Sequence, residues 1–565
     1  MSSSCTEERI PLVGYGEPAM AIYTPSLFSS AQSPVSLVGS DLALSPAAPA
    51  SPRASSCGSN ASAGSVDYLA KFASLLERIQ PESIIAMALR IYQGWSASPS
   101  ANQVTCTLVS PPLCGSFNLI HVLNFSDGVK WILRLPLETL EGSSTTARRL
   151  ESEVMTMGFI RQNTTIPIPE VISFDPHTEN EITSPYIIMP FDEGTPVCQI
   201  WWDECGPTPL EKRRHKILDT VADAMSQLTK FRFNKIGMLE FEVGSLSPKV
   251  GPINVLDQGV EMEQYATQED TGAVFKHIGP FDSSQEYITS LHDSQEAPDD
   301  SYGVGMHRLL AMMIENLPLS SPIEGKESFG LTHPDFSGQN FLVSEDGTLT
   351  AIIDWDNVQT APDCIGCCSY PAWLTRDWDP LMYGYGTPDT KWENSPEELE
   401  GYRNYYATKM TSLGSAKFTT KSHIHEAVCI AASNPLCMYH ITDKIFHHMF
   451  PEEGIDDDYN PDTLDLGMIT EALGGEGLEE EVEQRILGSI KELLSLPGDA
   501  PTHSVSSQWS KGSRLWHFIG KWTGVTLIFS LCASLHSRGV ISALLRWPGI
   551  INFFMGPRAR NESMV

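Results

Sequence analysis

The stretch from Leu331 to Asp356 constrains this chain more than any other. It reads Leu-Thr-His333-Pro-Asp335-Phe-Ser-Gly-Gln-Asn340-Phe-Leu-Val, a short polar turn, then Ala-Ile-Ile-Asp354-Trp-Asp356. Phe341–Val343 has the apolar content of a strand, Ser344-Glu-Asp-Gly347 is turn chemistry, and Leu349–Ile353 reads as the returning strand. Such a hairpin brings Asp354 back beside Asn340, while Asp335 and Asn340 share one tight loop. Two carboxylates and an amide gathered in this way suit phosphoryl transfer. That chemistry needs one carboxylate to orient an acceptor hydroxyl and take its proton, and a carboxylate with an amide to hold magnesium against phosphates. Asp335 takes the first role; Asn340 and Asp354 take the second. A plain hairpin carrying surface acids is the competing reading, and it requires all of these spaced positions to coincide by accident.

The order H-x-D-x-x-x-x-N, strand, turn, strand, Asp is the catalytic-loop and metal-aspartate arrangement of protein kinases, with Ile353-Asp354-Trp355-Asp356 where those carry Asp-Phe-Gly. Together with His333-Pro-Asp335 and Gly338-Gln-Asn340, that replacement resembles the aminoglycoside phosphotransferase family, and within it the fungal members of unassigned substrate. The resemblance covers Val104 to Pro380. It implies an α+β, two-lobed, protein-kinase-like fold: a small antiparallel-sheet N-terminal lobe, a larger and mainly helical C-terminal lobe, and ATP with Mg2+ in the cleft. The activity it implies is ATP-dependent phosphorylation of a hydroxyl on a small molecule whose identity the family does not fix. A protein kinase is disfavoured, because neither Asp-Phe-Gly nor a closing Ala-Pro-Glu occurs. A nucleotide-binding pseudokinase or scaffold is the rival from a different class; a single-glycine loop and an arginine in place of the usual strand lysine speak for it.

Upstream, Val104–Val109, Leu119–Phe125 and Val129–Leu135 read as strands, with Pro111 to Asn118 turning between the first two. Gly115 admits close approach of backbone to phosphate, and Ser116 and Asn118 can donate to phosphate oxygens. On the third strand Lys130, Ile132 and Arg134 share the face opposite Trp131, Leu133 and Leu135. The resemblance selects Arg134 as the phosphate-side cation, with Lys130 as the alternative. On the helix expected from Thr145 to Ile160 it places Glu153 as that cation's acid, with Glu151 competing. Ile166-Pro-Ile-Pro169-Glu-Val begins another strand, and Tyr186–Gly194 resembles the last strand entering the interlobe hinge. Pro190 offers adenine only a carbonyl there, so the donor is a neighbour.

Outside this core, residues 1–65 are rich in Ser, Ala and Pro and read as a disordered tail. Residues 66–192 read as N-terminal helices, at Val66–Ile79 and Pro81–Gly94, followed by the smaller lobe. Residues 193–508 read as the larger lobe. In it Leu210–Phe231 is a central packing helix, Gly237–Phe241 and Val250–Ile253 form a short hairpin, and an acidic, irregular insertion falls near 257–300. Helices are expected near Pro396–Leu413 and His423–Phe450, and Glu479–Glu483 as a solvated helix face. Trp373, Asp377, Trp378 and Asp379 follow the metal loop, where acceptor lining and plain packing are both open, and none is assigned a catalytic role. Cys364, Cys367 and Cys368 have no second pair at zinc-ligand spacing and read as packing residues.

Lys and Arg total 37 against 70 Asp and Glu, a net charge of −33 that repels nucleic acid and anionic membrane. The start of the chain has no basic and apolar signal segment, and with twelve scattered cysteines an intracellular, cytoplasmic setting is expected. Residues 509–565 invert the charge, with seven basic residues against Glu562 alone. Two readings fit that tail: an interfacial helix in peripheral contact with membrane, or helices docked on the acidic lobe.

Overall fold

A computed structural model describes residues 69–498, apart from 97–100, 116, 138–142, 242–246, 258–259, 261–274, 296–297, 319, 334, 382, 388–391 and 452–463. Ser116 and both terminal tails therefore lie outside the described residues, as do the first residues of the helix expected from Val66 and most of residues 257–274. The chain divides into two units, the first of residues 1–138, 142–254 and 277–499, the second of 139–141, 255–276 and 500–565. The site lies within the first.

Its smaller part is built on strands β1 (Cys106–Leu108), β2 (Leu113–Cys114), β3 (Asn118–Phe125), β4 (Lys130–Pro136), β5 (Ser173–Asp175) and β6 (Tyr186–Pro190). They form one antiparallel sheet in the order β1-β3-β4-β6-β5, with β2 also on β3. Strand alternation sorts the side chains. Leu119, Leu123, Phe125, Trp131, Leu133, Leu135 and Ile188 bury one face against helices α1 (Ala73–Arg78) and α2 (Pro81–Trp95), through Leu75, Ile84, Met87 and Tyr92. Helix α3 (Ser143–Asn163) sets Leu150, Met157 and Ile160 in a second core with Ile187 and Met189. Arg134 stands opposite Ile187 on β6 and Ile120 on β3, a cation among apolar strand neighbours.

The second core continues into the larger, mainly helical part, through Ile217, Leu218 and Val221 of α4 (Leu210–Met225) and through Leu331, Phe341, Val343, Ile352 and Trp355. This is the α+β, two-lobed, protein-kinase-like architecture. The expected hairpin is present: Phe341–Val343 pairs antiparallel with Leu349–Ile352, register Phe341 to Ile352, around a turn in which Gly347 takes φ +91°. Phe341–Val343 also pairs with Thr195–Pro196, just past the hinge. Asp192 fixes that hinge by accepting from Thr350 Oγ1 and from the Gly194 N–H, both at 2.8 Å.

Four expectations need correction. Ile166–Val171 is extended but pairs with no strand until Ser173, because Pro167 and Pro169 have no N–H to offer a ladder; Pro167 instead accepts from the Ile352 N–H. Gly237–Phe241 and Pro248–Gly251 do pair, yet they are two strands of a five-stranded sheet that also holds Phe329–Thr332 and Gln359–Ala361. Within the supposed irregular insertion, Ser284–Asp293 is a helix, α5, capped by Ser283, with Tyr287, Ile288 and Leu291 in the core. The single helix expected over His423–Phe450 is two, Ser422–Ser433 and Pro435–Met449, since Asn434 caps and Pro435 opens the second.

Candidate active site

The loop before the hairpin is held by one buried histidine. His333 Nδ1 accepts from the Asp335 N–H at 3.2 Å, and its Nε2 lies 3.0 Å from the Ile353 carbonyl. A backbone N–H only donates and a carbonyl only accepts, so the ring is neutral with its proton on Nε2. Burial pushes its pKa down to about 4, against the two backbone bonds. The ring lies edge-on to Trp355 at 4.7 Å, and Trp355 is itself fully buried. His333 therefore ties the backbone of Asp335 to the strand that ends at Asp354. Asn340 adds a second tie: its Nδ2 donates to the Asp335 carbonyl at 3.1 Å, and its own carbonyl accepts from the Ile353 N–H at 2.9 Å. Asp335, Asn340 and Asp354 are brought together as the hairpin reading requires.

Asp335 accepts from Gln339 Nε2 at 3.1 Å. Burial raises its pKa, opposed by hydrogen bonds from Ser337, Gln339 and Asn340. Asp354 adopts φ +63°, in the left-handed region that a non-glycine residue enters at a cost. Its side chain is 41 % exposed where that of Glu153 is 2 % exposed, so Asp354 is the acid open to a ligand. Burial pushes both Asp354 and Asp356 up to about 6; Arg134 opposes in each, and water tempers the rise at the more open Asp354.

Arg134 bonds Glu153, and its Nη1 lies 3.6 Å from Asp354 Oδ1. Lys130 pairs instead with Glu193 at 2.7 Å, at the hinge. Glu151 is not on Arg134; its charged neighbours are His177 and Arg148. Arg134 Nε and Glu153 Oε1 are enclosed without a hydrogen-bond partner, which leaves the pair with bonding capacity for a ligand or water.

The glycine turn closes through the Gly115 N–H donating to the Asn118 carbonyl at 2.9 Å. A Cβ on Gly115 would meet nothing nearer than that oxygen, at 3.8 Å, so the fold itself does not demand glycine there. Asn118 Oδ1 is enclosed and unpartnered; an amide oxygen only accepts, so only its amide nitrogen can serve phosphate. At the hinge the Phe191 N–H is used by the Lys130 carbonyl and that of Gly194 by Asp192, which leaves Asp192 and Glu193 as the donors for a base.

Among the described residues no group of three or more His, Cys, Asp or Glu side chains is placed to hold a metal ion. Asn340 Oδ1 with the open Asp354 carboxylate is nonetheless a hard-oxygen pair of the kind magnesium takes when phosphates and waters complete its shell. Cys364 and Cys367 are buried and Cys368 partly so, as packing residues are. Asp377 is occupied by Arg403, at 2.6 and 3.0 Å, which makes it structural, and Trp378 is buried. Two residues of the cluster escaped the sequence reading. Asp356 repeats the acid two positions past Asp354, and Arg149 lies one helical turn before Glu153; both are buried.

Residues 122–363 match the model of the phosphotransferase enzyme family. A relative from Clavispora lusitaniae, "Altered inheritance of mitochondria protein 9, mitochondrial", is 21 % identical over 56 % of this chain and 58 % of its own length. One of the same description from Candida tropicalis is 30 % identical over 22 % of this chain and 20 % of its own. The match thus spans less than two thirds of these relatives. Among solved structures, a Plasmodium vivax ethanolamine kinase aligns over 73 % of this chain and 95 % of its own, at 11 % identity and a TM-score of 0.31. Among the described residues no helix is long and apolar enough to cross a membrane.

Proposed function

We propose that this chain, which carries a domain of the phosphotransferase enzyme family, transfers the terminal phosphoryl group of ATP to a hydroxyl of a small molecule, with Mg2+ as cofactor. The observation that carries the reading is the convergence of Asp335, Asn340 and Asp354 on one backbone-locked loop, with Arg134 beside Asp354. Asp335 orients the acceptor hydroxyl and takes its proton as the oxygen attacks phosphorus. Burial raises its pKa and so strengthens the carboxylate as a proton acceptor. Asn340 and Asp354 would hold the magnesium, whose contribution when bound is to neutralise phosphate charge. Arg134, oriented by Glu153, would meet the phosphates together with Gly115 and Asn118, and the backbone N–H of Asp192 or Glu193 would donate to the base at the hinge; Ser116, expected beside them, lies outside the described residues. Catalysis of this kind is positioning and charge compensation.

Arg134 is engaged by Glu153 and drawn toward Asp354, an arrangement that also suits a protein that holds nucleotide without turning it over. One experiment separates the readings: ATP turnover by the full chain across a panel of small alcohols, sugars and aminoglycosides, with Asp335→Asn as control. Turnover by the wild type alone supports the kinase; nucleotide binding by both proteins with turnover by neither supports the pseudokinase. The relatives' description supports a mitochondrial address over the cytoplasmic one, which fractionation of tagged protein tests. For residues 509–565, loss of sedimentation with anionic liposomes on truncation supports membrane contact, and equal sedimentation removes it.

A further inference from the structure

Helix α3 carries two adjacent rows of side chains with different partners. Arg149 and Glu153, one turn apart, are buried, and Glu153 bonds Arg134 of β4. In the neighbouring row, Arg148, Ser152 and Phe159 meet the strand Gly237–Phe241 of the five-stranded sheet. Arg148 Nη2 donates to Glu240 Oε1 at 2.6 Å, Ser152 Oγ donates to the Leu239 carbonyl at 2.6 Å, and the Phe159 ring lies edge-on to that of Phe241 at 6.2 Å.

The strand they reach leads to both loops of the site. Gly237 and Met238 pair with Thr360 and Gln359, which pair in turn with Leu331 and Thr332. Gln359 follows the loop of Asp354 by a few residues, and Thr332 immediately precedes His333 and the loop of Asp335. Helix α3 is thus bonded on one side to the cation of the smaller part and on the other to the sheet that supports the acids of the larger. The Arg148–Glu240 pair has a place made for it. A Cβ on Gly251, opposite Met238 on the next strand, would lie 2.1 Å from Glu240 Oε1 and 2.3 Å from its Cδ, so only glycine there leaves the carboxylate where it meets Arg148. The two side chains are 14 % and 30 % exposed, and a pair so enclosed is screened less than one on the open surface.

We propose that Arg148 and Glu240, with Ser152 on the Leu239 carbonyl, are positioning residues: they latch α3 to the sheet of the larger part, and so fix Glu153, and through it Arg134, against Asp335 and Asp354. The inference rests on the reading of this cleft as a nucleotide site. A cation on one part and acids on the other act on the same phosphates only while the two keep register, and small misplacements are costly in catalysis by positioning. Glu153 alone does not supply that register, because its bond to Arg134 joins α3 to the sheet of the smaller part. The 3.6 Å between Arg134 and Asp354 is too long for a hydrogen bond. The apolar core that α3 shares with both parts is non-directional, whereas the two bonds to Leu239 and Glu240 are directional.

Two measurements on the full chain test this, with two variants. Glu240→Ala deletes the latch, and Gly251→Ala displaces the flexible end of the Glu240 side chain without changing any charge. In the first, without nucleotide, deuterium uptake is followed segment by segment. Both variants are expected to exchange faster than wild type over α3 and at the wild-type rate over α2. Unchanged uptake over α3 overturns the proposal, as does an increase spread evenly over both helices, which is what a merely structural role gives. In the second, calorimetry well below the unfolding temperature compares magnesium-ATP with adenosine. Both variants are expected to bind magnesium-ATP more weakly, by roughly threefold or more, and adenosine as the wild type does. Loss of a negative charge by itself favours an anionic ligand, so weaker binding by Glu240→Ala reports position and not field. Unchanged affinity for magnesium-ATP overturns the proposal, as does an equal loss for both ligands. A wild type that binds no magnesium-ATP refutes the proposed function instead, and deuterium uptake still decides whether α3 is latched.

Discussion

Replacing His333 by Phe keeps a ring of similar size beside Trp355 and removes both backbone bonds. The Asp335 N–H and the Ile353 carbonyl each lose the partner that His333 supplies, at about 1–3 kcal/mol apiece for groups this enclosed. At pH 7.5 the wild type should therefore be the more stable by about 2–6 kcal/mol. The sign of the pH dependence follows from the neutral ring. Its folded pKa, about 4, lies below the ordinary 6.5, so the unfolded chain takes up the proton first. The stability from His333 is fully present above pH 6.5 and is lost as pH falls toward 4. Between pH 7.5 and 4.5 that loss comes to about 2.5 kcal/mol. Every other titrating group is common to both proteins, so urea unfolding of the pair at each pH, followed by tryptophan fluorescence, isolates this term. The gap should narrow by about that amount on acidification. A gap that stays constant or widens would refute the neutral, Nε2-protonated histidine and with it the tie between the two loops.

Three further outcomes follow from packing. A Cβ on Gly305 would lie 1.8 Å from the Thr470 carbonyl oxygen, and one on Gly474 would lie 1.7 Å from that of Ser301, so alanine at either should lower the melting temperature by several degrees, roughly 1–3 kcal/mol. Gly401→Ala and Gly488→Ala, which meet nothing within 4 Å, should leave it unchanged or raise it slightly; a loss at these two as large as at Gly305 would sink the argument. Asp377→Ala should destabilise by about 3–5 kcal/mol because it strands the enclosed Arg403, whereas Glu479→Ala on the solvated start of its helix should be silent in the same melt.

The candidate catalytic stretch is legible because its signals are local. Strand residues, a Ser344–Gly347 turn and fixed spacings carry Asp335, Asn340 and Asp354 wherever the hairpin goes, and Arg134 followed from strand alternation with the family resemblance to choose it over Lys130. What escaped depends on contacts distant in sequence. Nothing local says that Asp356 and Arg149 are buried, since an acid in a loop and an arginine on a helix read equally well as solvated. The separate role of Glu153 over Glu151 likewise came from the resemblance, as both sit on the same helix. The helix at Ser284–Asp293 carried a readable signal, Ser283 followed three residues later by Glu286, which an acidic surrounding composition obscured. The break at Asn434-Pro435 was equally local and was passed over because apolar residues continue in step on both sides.

Titration calorimetry of magnesium-ATP into the wild type, Asp354→Asn and Asp335→Asn tests the central assignment most directly. Asp354 is the open carboxylate given to the cation, and Asp335 the one given to the acceptor hydroxyl. The wild type should bind, Asp354→Asn should bind weakly at the same magnesium concentration, and Asp335→Asn should bind as the wild type does while losing on the order of 10²–10⁴ in any phosphoryl transfer. Equal affinity in Asp354→Asn and wild type, or full transfer by Asp335→Asn, would contradict the account.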